Sequence, residues 1–189
     1  MKNMDKQDKM IFNEDTRMKC LVVSTLPEID NKTNEFINSL KVKAIDTEVL
    51  ETNKYKIGNC IGCNNCWLKT PGVCAVKDDW EILFKKFLKS DYVIFITEAR
   101  LGFISHKMKN IVDRLIPFLL PYTTLYKGEM RHKNRYKKCW KIGLIYSGNG
   151  NKDFLNEWME RFTLNFLGKS LGAHNINESK ELYDEISSI

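Results

Sequence analysis

Long apolar runs are absent from this sequence of 189 residues. The longest of them, 92–96 and 115–122, fall far short of the roughly 20 residues that a membrane-spanning helix needs. The first 18 residues carry four basic and four acidic side chains and lack the apolar region of a secretory signal. We therefore expect a cytoplasmic protein with no membrane partner, a charged N-terminal tail over residues 1–18 and a single domain over residues 19–189.

Glycine and histidine are also scarce, with 10 and 3 residues respectively. No segment has the glycine spacing of a Walker loop or of a dinucleotide fingerprint, which disfavours ATP and an NAD bound in the Rossmann manner. His106, His132 and His174 lie far apart in the sequence. No metal site or catalytic triad built on histidine is therefore visible.

Positive charge is concentrated in one segment rather than spread along the chain. The net charge is +6, and residues 127–141 contain seven basic side chains against Glu129 alone, a net +6, so the rest sums to zero. A nucleic-acid surface would interleave more aromatic residues with this charge than Tyr136 and Trp140 provide. We expect a solvated loop or an anion-facing rim and no nucleic-acid partner.

Short apolar runs alternate with helical patterns along the chain. Strands are predicted at 20–24, 44–50, 91–97 and 142–146, with a fainter fifth strand and a short helix from Ala173. Amphipathic helices are predicted at 33–40, after Asp78, from Ser105 to a stop near Pro117, and around Trp158. This alternation implies an α/β fold, a doubly wound parallel sheet of five strands with helices on both faces.

Ligands of such a sheet bind beyond the carboxyl ends of the strands, where the strand order switches. Three loops are predicted there: 24–33, 97–105 and 147–151. The first is rich in hydroxyl and amide groups and enters a helix N-terminus, which favours a phosphate. Helix capping by Asn31 or Thr33 explains the same residues equally well.

Several segments in order give the chain a more specific likeness. It resembles the flavodoxin-like NADPH-dependent FMN reductases and, within them, the iron-sulfur flavoproteins. The likeness covers about residues 19–151 and rests on these segments: the first loop, Cys60-Ile-Gly-Cys63-Asn-Asn-Cys66-Trp67, Pro71-Gly72-Val-Cys74, Asp78-Asp79, 90–97, and Ser105 through Met108-Lys109 to Asp113-Arg114.

The resemblance implies an FMN held by the three loops. Its phosphate would contact a first group of residues: Ser24, Asn31, Lys32 and Thr33. The second loop departs from the proline and aromatic residue usual in the family and reads Thr97, Glu98, Ala99, Arg100, Leu101, Gly102 and Phe103. The resemblance assigns no role to these departing residues; by side-chain chemistry alone, Arg100 would hold the flavin or an anionic substrate, and Phe103 would cover the ring. The small residues of the third loop would admit the pyrimidine edge of the ring: Ser147, Gly148, Asn149 and Gly150.

Cysteine is crowded in one stretch. Cys20 and Cys139 stand alone and are expected to be inert, buried thiols. The others fall within fifteen positions with the spacing Cys-x2-Cys-x2-Cys-x7-Cys: Cys60, Cys63, Cys66 and Cys74. Successive x2 spacing suits a [4Fe-4S] cluster, which the resemblance also implies, whereas zinc sites more often use two separated pairs. A cluster, a zinc ion and structural or vacant thiols all stay open.

The resemblance implies an FMN-dependent NAD(P)H oxidoreductase that reduces flavin, quinone or another small acceptor, without a catalytic acid or base side chain. The alternative is an iron-sulfur flavoprotein that carries electrons between FMN, a [4Fe-4S] cluster and a redox partner protein. A non-redox flavin sensor or nucleic-acid-binding module is the third hypothesis. The resemblance also implies a homodimer or homotetramer, for which the apolar stretch 116–122 and the basic segment 127–141 offer contact surface. Asp113 and Arg114 are expected to form an intrahelical or interface ion pair.

Overall fold

Strands and helices alternate through the part of the chain described by a computed structural model, residues 17–42 and 45–187. Residues 1–16 of the predicted tail lie outside the described residues, as do 43, 44, 188 and 189. The strands are β1 (Lys19–Ser24), β2 (Asp46–Glu51), β3 (Tyr92–Ile104), β4 (Leu119–Tyr126), β5 (Glu129–Asn134), β6 (Lys141–Gly150) and β7 (Lys169–Asn175). The α-helices are α1 (Asn31–Val42), α2 (Asn65–Leu68), α3 (Trp80–Lys89), α4 (His106–Asp113), α5 (Lys152–Leu164) and α6 (Ser179–Ser187).

Five of the strands form one sheet in the order β2-β1-β3-β6-β7, and every neighbouring pair is parallel. Counted within the sheet, this order is 2-1-3-4-5, which defines the flavodoxin-like doubly wound fold. The order reverses between β1 and β3, so their carboxyl ends open a crevice there. The predicted fold class is confirmed.

Side chains on successive residues of β1 enter different apolar layers, as the period of a strand requires. Leu21 and Val23 pack in the layer covered by α3, α4 and α5. Cys20 and Val22 pack in the layer covered by α1 and α6. Both faces of the sheet are therefore buried, which is why the central strands are continuously apolar.

The helices follow the predicted amphipathic patterns, and their ends are set by local caps. Ser105 caps α4 by accepting a hydrogen bond from the backbone amide of Met108 at 3.3 Å, as expected. Helix α4 ends at Asp113, before Pro117. The longest helix in the described ranges, α5, has 13 residues. No helix in 17–42 or 45–187 has both the length and the apolar character to cross a membrane.

Two of the three predicted loops are wrong, because β3 and β6 continue past their apolar runs. Glu98 pairs with Ser147 and Ala99 with Gly148, and after a bulge Gly102 pairs with Gly150. Residues 97–104 and 147–150 are therefore strand rather than loop. The extension depends on backbone pairing between two strands, which the apolar pattern of either strand alone does not reveal.

The connection through the basic segment is a β-hairpin, β4–β5, that the sequence reading missed. Lys127 and Gly128 form its two-residue turn, with φ of 50° and 81°. Positive φ at both positions is the requirement of a type I′ hairpin turn. Several basic side chains of the segment have partners within the protein: Arg131 bonds Glu129 and Asn165, Arg135 bonds the Pro117 carbonyl, and Lys138 pairs with Asp91.

Candidate functional site

Three hydroxyl groups meet just beyond the end of β1, beside β3. The Thr25 Oγ1 hydroxyl donates to Thr97 Oγ1 at 3.0 Å, and the Oγ atoms of Thr97 and Ser105 are 2.8 Å apart. Thr97 is completely buried, and Thr25 also donates its backbone amide to the Ile96 carbonyl. This cluster lies at the reversal of strand order between β1 and β3, where ligands of a doubly wound sheet bind. Thr25 was not among the predicted site residues, although it directly follows the first strand.

Ser24, a predicted phosphate contact, shapes the first loop from within. It is completely buried, and its Oγ accepts a hydrogen bond from the Leu26 amide at 3.3 Å. Its carbonyl accepts the Thr52 hydroxyl at 3.0 Å, which ties the end of β1 to the end of β2. In this structure the Ser24 side chain thus stabilises the turn at the start of the first loop.

Helix α1 is capped by Asp30 and not by Asn31 or Thr33. Asp30 Oδ1 accepts the Thr33 backbone amide at 2.7 Å, and this bond lowers the pKa of the carboxyl group. Asn31 and Lys32 are exposed in the first turn, and Lys32 Nζ donates to Asn177 Oδ1 at 2.6 Å. The predicted helix N-terminus is thus present, with the carboxylate of Asp30 and the amine of Lys32 beside it.

Thr33 carries a buried hydroxyl beside the Asp30 carboxylate. The residue is completely buried, and its Oγ1 makes no hydrogen bond of good geometry within the described protein, although its closeness to Asp30 contributes to the lowered pKa of that carboxyl group. A buried polar atom with incomplete hydrogen bonding costs free energy. Because Thr33 lies in the first turn of α1, where free amides favour an anion, a phosphate oxygen fits as a further partner of the hydroxyl.

Side chains of the second predicted segment differ in their exposure and in their contacts. Arg100 is exposed and pairs with Glu98 at 2.9 Å, while Ala99 is buried. Leu101 has a φ of 51° and is fully exposed, an uncommon state for a leucine. The Phe103 ring packs on α5, 5.2 Å from the Trp158 ring centroid.

The third predicted segment needs its glycines for the protein's own packing. At Gly148, which has a φ of 81°, a Cβ atom would lie 2.8 Å from the Ala99 carbonyl oxygen. At Gly150 it would lie 2.4 Å from the Tyr146 ring. A side chain at either position would thus collide with β3 or with Tyr146, so both positions require glycine. Ser147, half-buried, and Asn149, exposed, belong to the same strand end.

The four crowded cysteines lie on the loop between β2 and α3, and all are free thiols. Cys60 and Cys63 are exposed, Cys74 is half-buried, and Cys66 is buried in α2. Burial raises the pKa of Cys66, and the charges of the other three thiols raise it further. All four cysteines lie on this one loop, within fifteen positions of the sequence. Of the lone cysteines, Cys20 is buried as expected, whereas the expectation for Cys139 is wrong because it is exposed.

No three Cys, His, Asp or Glu side chains in residues 17–42 and 45–187 are arranged to hold a metal ion. The donor chemistry nonetheless fits an iron-sulfur cluster, since thiolates are its ligands and each cysteine of a cubane binds a different iron. The residues that would hold it are those predicted: Cys60, Cys63, Cys66 and Cys74.

Arg114 lies beside this loop. The expected ion pair between Asp113 and Arg114 is wrong. Asp113 pairs with Lys109, whereas Arg114 is 1% exposed and forms an ion pair with Asp78. Its guanidinium also donates to Cys74 Sγ at 3.3 Å. The sequence separates Arg114 from these partners by some 40 positions, so helical spacing gave no sign of them.

The cysteine loop is also docked on the hairpin. Trp67 Nε1 donates to the carbonyls of Ile116 and Leu119 at 3.2 and 3.0 Å, and the indole packs 4.8 Å from the His132 ring. The hairpin missed in the sequence is therefore the support on which α2 rests.

No family model matches the chain. An iron-sulfur flavoprotein of Methanocaldococcus jannaschii is 28% identical over 109 residues, which are 56% of this chain and 55% of the relative. One of Archaeoglobus fulgidus is 28% identical over 121 residues, 56% of this chain and 54% of the relative. The predicted resemblance to the iron-sulfur flavoproteins is confirmed. The chain spans about half the length of these iron-sulfur flavoproteins.

Solved structures with the same fold cover nearly all of the chain. RosB, with a bound 8-demethyl-8-formylriboflavin-5'-phosphate intermediate, superposes with a TM-score of 0.61 at 14% identity, covering 90% of this chain and 76% of RosB. The NAD(P)H:quinone oxidoreductase of Methanothermobacter marburgensis superposes with a TM-score of 0.59 at 12% identity, covering 90% and 95% of the two chains. At these identities the likeness establishes the fold alone.

Proposed function

We propose that the chain binds FMN in the crevice between β1 and β3, with the flavin phosphate at the N-terminus of α1. The observation that carries this proposal is the completely buried hydroxyl of Thr33 in the first turn of that helix, which lies beside the Asp30 carboxylate and makes no hydrogen bond of good geometry in the described residues. RosB, which has the same fold, holds a riboflavin-5'-phosphate derivative. A phosphate oxygen would satisfy the Thr33 hydroxyl, and the exposed amine of Lys32 would offset its charge.

The ring system would then lie along the strand ends: Thr97, Glu98, Ala99, Arg100, Leu101, Gly102 and Phe103 of β3, and Ser147, Gly148, Asn149 and Gly150 of β6. The hydroxyl cluster of Thr25, Thr97 and Ser105 fixes the floor beneath it. Leu101, fully exposed in this structure, offers an apolar cover. Arg100 offers a cation whose partner, Glu98, is only partly buried.

FMN, when bound, supplies the redox chemistry, because it accepts a hydride and releases electrons singly or in pairs. We extend the proposal to an NAD(P)H-dependent oxidoreductase that reduces flavin, quinone or another small acceptor. Support comes from the NAD(P)H:quinone oxidoreductase of the same fold. The chain's own groups would bind and orient the reactants, and no side chain is required as an acid or base.

A titration separates this proposal from mere structural likeness. FMN and riboflavin are added to the purified chain and to a Thr33→Val variant, and binding is followed through flavin fluorescence. We expect micromolar or tighter binding of FMN, weakened roughly tenfold in the variant for one lost charge-assisted hydrogen bond of about 1.5 kcal/mol. Riboflavin, which has no phosphate, should bind both proteins equally. No saturable FMN binding by the wild type would refute the proposal.

Reduction of the bound flavin tests the reaction class. Stopped-flow mixing of the FMN-loaded chain with NADPH or NADH should bleach the flavin absorbance if the chain is an NAD(P)H oxidoreductase. Bleaching by a reduced redox protein alone would instead support an electron carrier. Salt-dependent binding to DNA or RNA would support the non-redox hypothesis.

The second candidate function is electron transfer between FMN, a [4Fe-4S] cluster and a redox partner protein. It is favoured by the four free cysteines on one loop and by the likeness to iron-sulfur flavoproteins. Iron and sulfide are measured after anaerobic reconstitution of the wild type and of Cys63→Ala. Four irons in the wild type and their loss in the variant would support this function, whereas an iron-free wild type would leave a plain FMN reductase.

Assembly and compartment complete the proposal. We propose a homodimer or homotetramer, supported by exposed apolar side chains on the hairpin: Tyr122, Leu125 and Met130. A monomer by light scattering at high concentration would contradict it. The free thiols of Cys60, Cys63, Cys66 and Cys74 favour a reducing compartment, such as the cytoplasm.

A further inference from the structure

The loop that carries the four crowded cysteines is closed at its base by one side chain. Arg114 Nη1 donates to the Gly58 carbonyl at 3.0 Å, before the first of these cysteines. The same guanidinium pairs with Asp78 and donates to the Val76 carbonyl at 3.4 Å, after the last of them. Asp78 completes the closure by accepting the Gly58 backbone amide at 2.8 Å. Both ends of the loop are thus held on Arg114.

The position of Arg114 is unusual for a purely structural residue. The side chain is completely buried, and its Nε has no hydrogen-bond partner in the described protein. Its guanidinium also lies 5.2 Å from the Trp80 ring centroid. A buried ion pair of this kind is often no more stabilising than apolar residues of similar volume. A reason for the charge other than stability is therefore required.

Cys74 supplies that reason, because Arg114 Nη2 donates to its sulfur at 3.3 Å. The other described cationic side chains near the loop do not make such a contact in the hydrogen bonds of this structure, and Arg135, beside Gly72, bonds carbonyls instead. Hydrogen bonds to the ligand sulfurs and nearby charge are among the features that set the reduction potential of an iron-sulfur cluster.

We infer that Arg114 is a positioning residue of the cysteine loop that also raises the reduction potential of the cluster bound there. The inference rests on the proposed cluster. Reduction adds one electron, supplied by the flavin or by the redox partner of the proposed function, and no bond forms or breaks. The added negative charge is stabilised by the fixed cation at Cys74 and opposed by the carboxylate of Asp78.

Two variants with opposite expected effects test this role. After anaerobic reconstitution, iron, sulfide and the midpoint potential of the cluster are measured for the wild type, Arg114→Gln and Asp78→Asn. Arg114→Gln should lower the potential by about 59 mV, a tenfold change in the one-electron equilibrium constant. Asp78→Asn, which keeps an acceptor for Gly58, should raise it. If the two substitutions only loosened the loop, both would shift the midpoint potential in the same direction.

Further variants keep the test informative if Arg114→Gln loses its fold. Arg114→Lys keeps the positive charge but lacks the planar guanidinium group. The midpoint potential of its cluster should therefore lie between those of the wild type and Arg114→Gln. Arg135→Gln, the matched control, should leave the potential unchanged. If Arg114→Gln and Asp78→Asn bind iron and keep the wild-type midpoint potential, the proposed role of Arg114 is wrong. The proposed cluster then stands. A wild type that takes up no iron would instead contradict the proposed cluster, and the inference with it.

Discussion

Asp30 holds the N-terminus of α1 by accepting the backbone amide of Thr33 at 2.7 Å. Its carboxylate therefore lies beside the place where the phosphate of FMN is proposed to bind. The lowered pKa of Asp30 means that this charge is present at neutral pH. Phosphate binding at this helix must accordingly overcome a like charge that is part of the helix cap.

Asp30→Asn should strengthen FMN binding, because it keeps the capping oxygen and removes the negative charge. Two unit charges about 4 Å apart in water interact by about 1 kcal/mol, so we expect roughly a fivefold lower Kd. Fluorescence titration measures it, with Glu35→Gln on the exposed side of α1 as the control. Equal changes for FMN and riboflavin would contradict the placement of the phosphate.

Leu101→Gly should stabilise the flavin-free protein and weaken FMN binding. The leucine holds a φ of 51°, which costs a residue with a Cβ about 1–2 kcal/mol, partly offset by the flexibility of glycine in the unfolded chain. Urea unfolding should show a gain of about 0.5–1 kcal/mol, and the FMN Kd should rise several-fold as apolar cover is lost. Lys127→Gly, at a φ of 50° in the hairpin turn, should gain stability without a change in FMN binding.

Gly148→Ala should destabilise the protein by more than Gly128→Ala does. Both glycines have a φ of 81°, so the conformational cost of a Cβ is the same, about 1–2 kcal/mol. Only at Gly148 would the new atom meet the Ala99 carbonyl oxygen, at 2.8 Å, whereas Gly128 has open space. Chemical denaturation measures the difference, and equal losses would show that β3 and β6 separate readily at this point.

The buried thiol of Cys20 should cause the free energy of unfolding to fall at high pH. Burial raises the pKa of its thiol to about 12, compared with 9.0 for an unperturbed thiol. Between these values the unfolded chain releases a proton that the folded protein retains, so the contribution is complete below pH 9 and is lost as pH rises towards 12. From pH 8 to pH 10 the loss should be about 1.4 kcal/mol.

Urea unfolding of the wild type and Cys20→Ala at both pH values measures this contribution. The variant is expected to be less stable throughout, because a buried side chain has been shortened, but its stability should fall less between pH 8 and pH 10. The same pH dependence in both proteins would show that the Cys20 thiol ionises in the folded state.

Much of the architecture was determined by the sequence alone, because it depends on local patterns. The apolar runs of β1 and β6 and the helical stripe of α3 each reflect burial against a sheet, and their alternation leaves a parallel sheet as the solution. The Ser105 cap could be predicted because its acceptor and donor lie three residues apart. The likeness to iron-sulfur flavoproteins was visible in the order and spacing of short motifs.

The remaining features were decided by the tertiary structure, because their partners lie far apart in the sequence. The extension of β3 requires pairing with β6, and Arg114 finds Asp78 across 36 positions instead of its neighbour on the helix. The hairpin carries a polar, basic strand whose backbone bonds, rather than an apolar pattern, hold it together. Whether a charge is solvated or buried is thus set by which segments the fold brings together, and local sequence does not encode that.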